Sequence, residues 1–281
     1  MPLKDILVHL DASEACACRL DLAAGLARRH DAHLVGLHAV DLLMPAAALA
    51  DGGTGAGAAM LYDQMRASAL AAAGRIEAGF RERLRRDGLS GEWRLAEGGP
   101  AGEAVALHAR YADLAVLGQQ DPDGTEPNGA ILHATLFGSG RPVLVVPYAG
   151  RFAQVGRRVL IGWNAGREAA RAVNDAIPLL DGAEEVTVLA VNPRRGIGGH
   201  GDVPAADMAL HLARHGLRAT AEHVTAPEIA DAEALLNAAA KKSADLLVVG
   251  AYGHSRLREM VMGGVTRTLL RSMTVPVLMA H

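Results

Sequence analysis

One stretch of this chain occurs twice. Residues 112–118 (ADLAVLG) return as residues 244–250 (ADLLVVG), and two further segments return in the same order around them. Near the start of each copy, residues 4–12 (KDILVHLDA) match 157–165 (RRVLIGWNA), and near the end RPVLVV at 141–146 matches VPVLMA at 275–280. Three anchors in one order mark a duplication, and a fold that ignored it would be wrong throughout. At 281 residues the chain has room for two domains of ordinary size, divided as 1–150 and 151–281.

Within each copy, short apolar runs without strict polar alternation are separated by longer helical stretches. That is the pattern of parallel strands buried on both faces. It places strands at 4–10, 32–40, 91–96, 112–118 and 142–147, and again at 157–163, 185–192, 217–224, 244–250 and 275–280. Helices fill 13–30, 58–87, 101–111 and 128–138, then 167–180, 204–215, 228–243 and 263–273. Ser13 reads as the N-cap of the first helix and Gly216 as a helix stop. The run Met44–Ala58, rich in Gly, Pro and Ala, reads as a mobile loop, and Tyr148–Val155 as a short linker.

The fold expected is α/β, with two doubly wound parallel five-stranded sheets in tandem, each of strand order 3-2-1-4-5. In such sheets ligands bind beyond the carboxyl ends of the strands, where the order reverses. The residues after the first and fourth strand of each copy are therefore the places to search.

After the fourth strand of the second copy the chain reads GAYGHSRLREMVMGGVT from Gly250 to Thr266. Gly250 and Gly253 let the backbone turn and approach a ligand without a β-carbon in the way. Gly263 and Gly264 open a helix whose first amide groups are unpaired and face incoming anions. Thr266 adds a hydroxyl, while Arg256, Arg258 and Arg267 offer positive charge. Together these residues describe a phosphate cradle.

The ordered strand, glycine loop and closing Pro-Val strand resemble the universal stress protein family in its tandem form, and the resemblance covers essentially the whole chain. The nucleotide-binding branch of that family carries Gly-x2-Gly-x9-Gly-Ser/Thr. Gly250, Gly253 and Gly263 meet its three glycines, and Gly264 departs from the final position. The resemblance implies that Gly250, Gly253, Gly263, Gly264, Val265 and Thr266 surround the ribose and phosphates of ATP, with or without Mg2+. It sets Asn164 where the family has an Asp beside the nucleoside, Ala190 where a backbone group meets adenine, and Val249 at an apolar border. It also implies that the copies pair through their last strands, and it allows a homodimer of chains.

The first copy keeps Asp11 at the nucleoside position but reads GQQDPDGTEPNGA from Gly118 to Ala130. Asp121 replaces the second glycine, and Asp121, Asp123 and Glu126 would repel a triphosphate. This copy is expected to be degenerate.

Composition removes other classes. A net charge of −3 and 3% aromatic residues supply neither the basic patch nor the stacking platforms of a nucleic-acid binder. The longest apolar runs fall short of the ~20 residues a membrane span requires, and the N-terminus lacks the pattern of a secretory signal, so a cytoplasmic location is expected. Cys16 and Cys18 fit neither a zinc pair nor a redox motif.

Asp207, His211 and His215 share a helix face and could hold a metal, although that spacing more often marks a polar face. No catalytic motif is present. A stress or regulatory protein binding ATP in its second copy is the leading reading. An interaction module of the same fold that binds no nucleotide, and a weak ATPase or metal-dependent hydrolase, stand beside it.

Overall fold

The computed structural model describes residues 2–42, 56–193, 203–251 and 264–281. The first half runs β1 (Asp5–His9), α1 (Ala15–His30), β2 (His33–Val40), α2 (Ala56–Asp87), β3 (Gly91–Glu97), α3 (Ala101–Ala109), β4 (Leu114–Gly118), α4 (Asn128–Gly138) and β5 (Val143–Val146). The second half runs β6 (Arg158–Gly162), α5 (Arg167–Ala176), β7 (Glu185–Val191), α6 (Ala206–Arg214), β8 (Ala219–Val224), α7 (Asp231–Lys241), β9 (Leu246–Gly250), α8 (Gly264–Ser272) and β10 (Val277–Ala280). Pro178 lies in a short 3-10 helix, Ile177–Leu180, where the sequence pattern had carried α5 onward. Its ring leaves no N–H to continue the α-helical ladder.

Each half has the strand order 3-2-1-4-5, and every pairing within a half that the register defines is parallel. The two sheets do not stand apart. β5 and β10 pair antiparallel, with Val145 opposite Val277, Leu144 opposite Leu278 and Val143 opposite Met279, giving one ten-stranded sheet. Both strands are apolar on both faces, and an edge of that composition is stable only when its N–H and C=O groups find a partner.

The core forms two layers, one on each face, and each runs through both halves. Leu22, Phe80, Ala172 and Leu212 bring α1, α2, α5 and α6 onto one face. Val105, Ile131, Leu235 and Leu269 bring α3, α4, α7 and α8 onto the other. Leu144 and Leu278 belong to the first layer and Val143 and Met279 to the second, so the strand pairing joins the two cores as well as the two sheets.

Local signals behave unevenly. Gly216 has φ +82°, a left-handed conformation just past the end of α6, as its place in the sequence suggests. Ser13 does not cap α1: its hydroxyl and its N–H both donate to Asp11 Oδ1, and no side chain caps the helix. The helix starts at Ala15, so Glu14 rather than Ser13 stands at the cap position. Of the presumed loop Met44–Ala58, residues 44–55 lie outside the described residues, while 56–58 belong to α2.

Candidate functional site

In the second half β6 pairs with β7 on one side and β9 on the other, so the strand order reverses at β6. The strand ends that border this point are Gly162, Trp163 and Asn164 from β6 and Val249, Gly250 and Ala251 from β9. Asp245 secures the opposite end of the sheet, where its carboxylate accepts the backbone N–H groups of Gly156 and Arg157.

Asn164 is exposed, and its side-chain oxygen accepts the Gly166 N–H at 2.9 Å. This turn launches α5 from the end of β6. Gly250 has a packing reason for being glycine, because a β-carbon there would lie 2.3 Å from Ala169 N and 2.5 Å from Glu168 C. The side-chain direction at Gly250 thus faces the first turn of α5, and its absence lets the helix backbone rest on the strand end.

Ala190 and Val249 are both buried, in opposite core layers, so any contact with a ligand beyond the strand ends would come from their backbones. Gly264 begins α8, and nothing lies within 4 Å of where its β-carbon would be. Val265 beside it is exposed and Thr266 buried. The structure therefore brings Asn164, Val249 and Gly250 to the crevice at the switch point and sets Ala190 on the neighbouring strand. Gly253 and Gly263 lie outside the described residues, as do Arg256 and Arg258.

One feature here escaped the sequence. Arg167, Glu168, Arg171 and His281 line a cleft beside α5, and His281 Nδ1 is 3.2 Å from the Ala251 carbonyl oxygen. The spacing of Arg167 and Arg171 could have signalled a shared helix face, but only the sheet order brings His281 to it.

The equivalent crevice of the first half is built differently. Arg19, 1% exposed, pairs with Asp11 at 2.7 Å and donates from Nε to the His9 carbonyl at 2.6 Å. Burial alone would raise the Asp11 carboxyl, but the Arg19 guanidinium and the Ser13 hydrogen bond overcome it and hold its pKa at about 2. His9 is buried beside them, and burial together with the Arg19 charge lowers its pKa to about 3, so the ring is neutral. Arg19 also accounts for Gly118, since a β-carbon there would lie 2.1 Å from Arg19 Nη1. The sequence did carry a signal: an arginine on the helix stripe shared with Leu22, Ala23 and Leu26 is at an inward position.

The acidic loop of the first half lies between β4 and α4. Asp121 folds onto its own turn by accepting the Asp123 N–H, and Asp123 is exposed. Glu126 is half-buried, and its carboxyl is influenced by Asp11, His38, Arg19 and the Ala12 N–H. At the other candidate cluster, the rings of His211 and His215 meet edge-on at 4.7 Å, and His211 Nε2 is 3.3 Å from Asn174 Oδ1. Among the described residues no group of three or more His, Cys, Asp or Glu is placed to hold a metal ion, and no helix is long and apolar enough to cross a membrane.

The profile of the universal stress protein family matches this chain twice, over residues 2–147 and 156–281. A universal stress protein of Synechocystis sp. is 44% identical over 46 residues, a match that spans only 16% of this chain and 16% of that protein. Among solved structures, a universal stress protein from Archaeoglobus fulgidus aligns over 98% of this chain and 97% of its own, at 16% identity and a TM-score of 0.73. A Pseudomonas aeruginosa protein of unknown function aligns over 99% and 92%, at 16% identity and a TM-score of 0.60. At these identities the likeness to solved structures is one of fold.

Proposed function

This chain belongs to the universal stress protein family, with two family domains in tandem, and from that premise we propose that its second copy binds an adenine nucleotide, ATP in the first instance, in a stress-response or regulatory role. The observation that carries the reading is the glycine series Gly250, Gly253, Gly263, which starts at the carboxyl end of β9 beside the switch point and runs into α8. The start of α8 suits an anion: its first amides lack helical partners, and the space beside Gly264 is open. Gly250, Gly253, Gly263, Gly264, Val265 and Thr266 would hold the ribose and phosphates, with Mg2+ shared among the phosphate oxygens. Asn164 would border the nucleoside, and Ala190 and Val249 would meet it through their backbones.

In this reading residues 1–150 form the degenerate domain and 151–281 the binding domain, and the protein acts in the cytoplasm. The test is a calorimetric titration of ATP and Mg2+ into the full chain and its Gly253→Asp variant, which copies the loop of the first half. Saturable binding that Gly253→Asp abolishes is expected. No binding at millimolar ATP would sink the proposal. A second reading, a module of the same fold that only pairs with proteins, is favoured by one observation: the Asn164 side-chain oxygen is already engaged by Gly166. In that case the wild type and Gly253→Asp would behave alike.

A further inference from the structure

The crevice of the first half is filled by the chain itself. In a doubly wound sheet an anionic ligand takes the free N–H groups at two places, the loop after the first strand and the start of the helix after the fourth. In this half those places are Ala12 and Gly129. The Gly129 N–H donates to the Gln120 side-chain oxygen at 2.9 Å, and the half-buried Glu126 carboxyl lies close enough to the Ala12 N–H to be stabilised by it. Both side chains come from the eight-residue stretch 119–126 between β4 and α4.

Below that loop Asp11 is already engaged. Arg19 neutralises it, and Ser13 holds its other oxygen. His9 is buried at the end of β1, where the second half has Gly162. Counted from the matched residues Asp11 and Asn164, the counterpart of Arg19 is Ala172, and the counterpart of Ala12 is Ala165. The second half therefore carries neither the arginine nor the histidine of this arrangement.

We propose that Gln120 and Glu126 are a built-in substitute for a ligand and determine which copy is open: the Gln120 oxygen takes the N–H at the start of α4 and the Glu126 carboxyl lies by the Ala12 N–H over a neutralised Asp11, so the first copy is closed to nucleotide and the chain takes one nucleotide, in its second copy. Burial and the nearby Asp11 charge raise the pKa of Glu126, while His38, the Ala12 N–H and Arg19 favour its ionised form. The link to the nucleotide reading lies only in the choice of probe and in the second copy's share of it.

The experiment is photolabelling of the full chain with 8-azidoadenosine, which has no phosphates to be repelled by the acidic loop, and with 8-azido-ATP, mapped by peptide mass spectrometry. It compares the wild type with Gln120→Ala/Glu126→Ala, a pair of loop changes outside the core. Amide hydrogen exchange at Ala12 and Gly129 is followed in both. In the wild type, label is expected only in residues 151–281. In the double variant, label also enters residues 1–150, raising the stoichiometry from about one to about two, and Ala12 and Gly129 exchange about tenfold faster until the probe protects them.

Label in residues 1–150 of the wild type would overturn the proposal. So would a double variant that keeps its thermal transition, loses protection at Ala12 and Gly129, and still excludes both probes from its first half. A wild type unlabelled in either half, with a double variant labelled in its first half, would support the closed copy while sinking the nucleotide reading of the second.

Discussion

The Gln119 side-chain amide donates to the Leu270 carbonyl at 2.8 Å, tying the first half's β4 loop to the last turn of α8 in the second. Its oxygen accepts the Tyr148 N–H, so one buried side chain holds two backbone groups on different segments. The counterpart position after β9 is Ala251, which has no such group to offer. Gln119→Ala should cost about 1–3 kcal/mol by leaving both groups unpaired, seen as a lowered urea midpoint. Gln119→Glu should cost more at neutral pH, where a carboxylate faces the Leu270 carbonyl, and should recover as acid protonates it.

Acid should destabilise the first half in two windows. His9 has its pKa lowered from 6.5 to about 3, chiefly by burial, so its contribution is complete above pH 6.5 and is lost as pH falls toward 3. Asp11 has its pKa lowered from 3.8 to about 2, so its contribution, about 2 kcal/mol, is complete above pH 4 and is lost as pH falls toward 2. Urea melts across this range should show falling stability, and His9→Gln should flatten the curve in the upper window alone.

Two glycines of the phosphate motif should respond in opposite ways to the same change. Gly250→Ala pushes a β-carbon into the backbone at Glu168 and Ala169 and should cost about 1–3 kcal/mol. Gly264→Ala meets nothing within 4 Å and should be neutral or stabilising by up to about 1 kcal/mol. Thermal melts of the two variants distinguish packing from position.

Gly264→Ser restores the hydroxyl that the family pattern has at this place. On the proposed nucleotide reading, it should strengthen ATP binding by about 1 kcal/mol, roughly fivefold in Kd by calorimetry, and leave the melting temperature nearly unchanged.

Leu278 pairs with Leu144 across the junction of the two halves and is fully buried. Leu278→Ala should cost about 2–5 kcal/mol. Because the core layers are continuous across β5 and β10, probes in both halves should report the same lowered midpoint in denaturant.

The duplication and the ten strands were legible in the sequence because they depend on local, periodic signals, whereas the order 3-2-1-4-5 within each half followed from the rules of doubly wound sheets and their joining into one ten-stranded sheet is seen in the structure. Runs such as LAVLG and LLVVG, short, without alternation and set between helical stretches, read as strands buried on both faces, and they are. The glycine series was legible for the same reason, as a spacing. The roles of individual residues were less so. Ser13 reads as a cap, but α1 starts at Ala15 and leaves Glu14 at the cap position; Gly250 reads as room for a ligand, and the structure adds that its missing β-carbon lets α5 rest on the strand end. Glu126 reads as one of three acids on the loop, and only the fold sets it beside Asp11 and His38.

By itself the sequence determined that this chain is two copies of one α/β unit of the universal stress protein family, and that the two loops after the fourth strands differ. Only the tertiary structure decided what the residues around those loops touch. Arg19 reaches Asp11, Gln120 reaches Gly129 and Gln119 reaches Leu270 through contacts that depend on how the strands are ordered and how the two sheets join. Burial and hydrogen-bond geometry are properties of the packed chain, and neither is encoded in the spacing of residues along it.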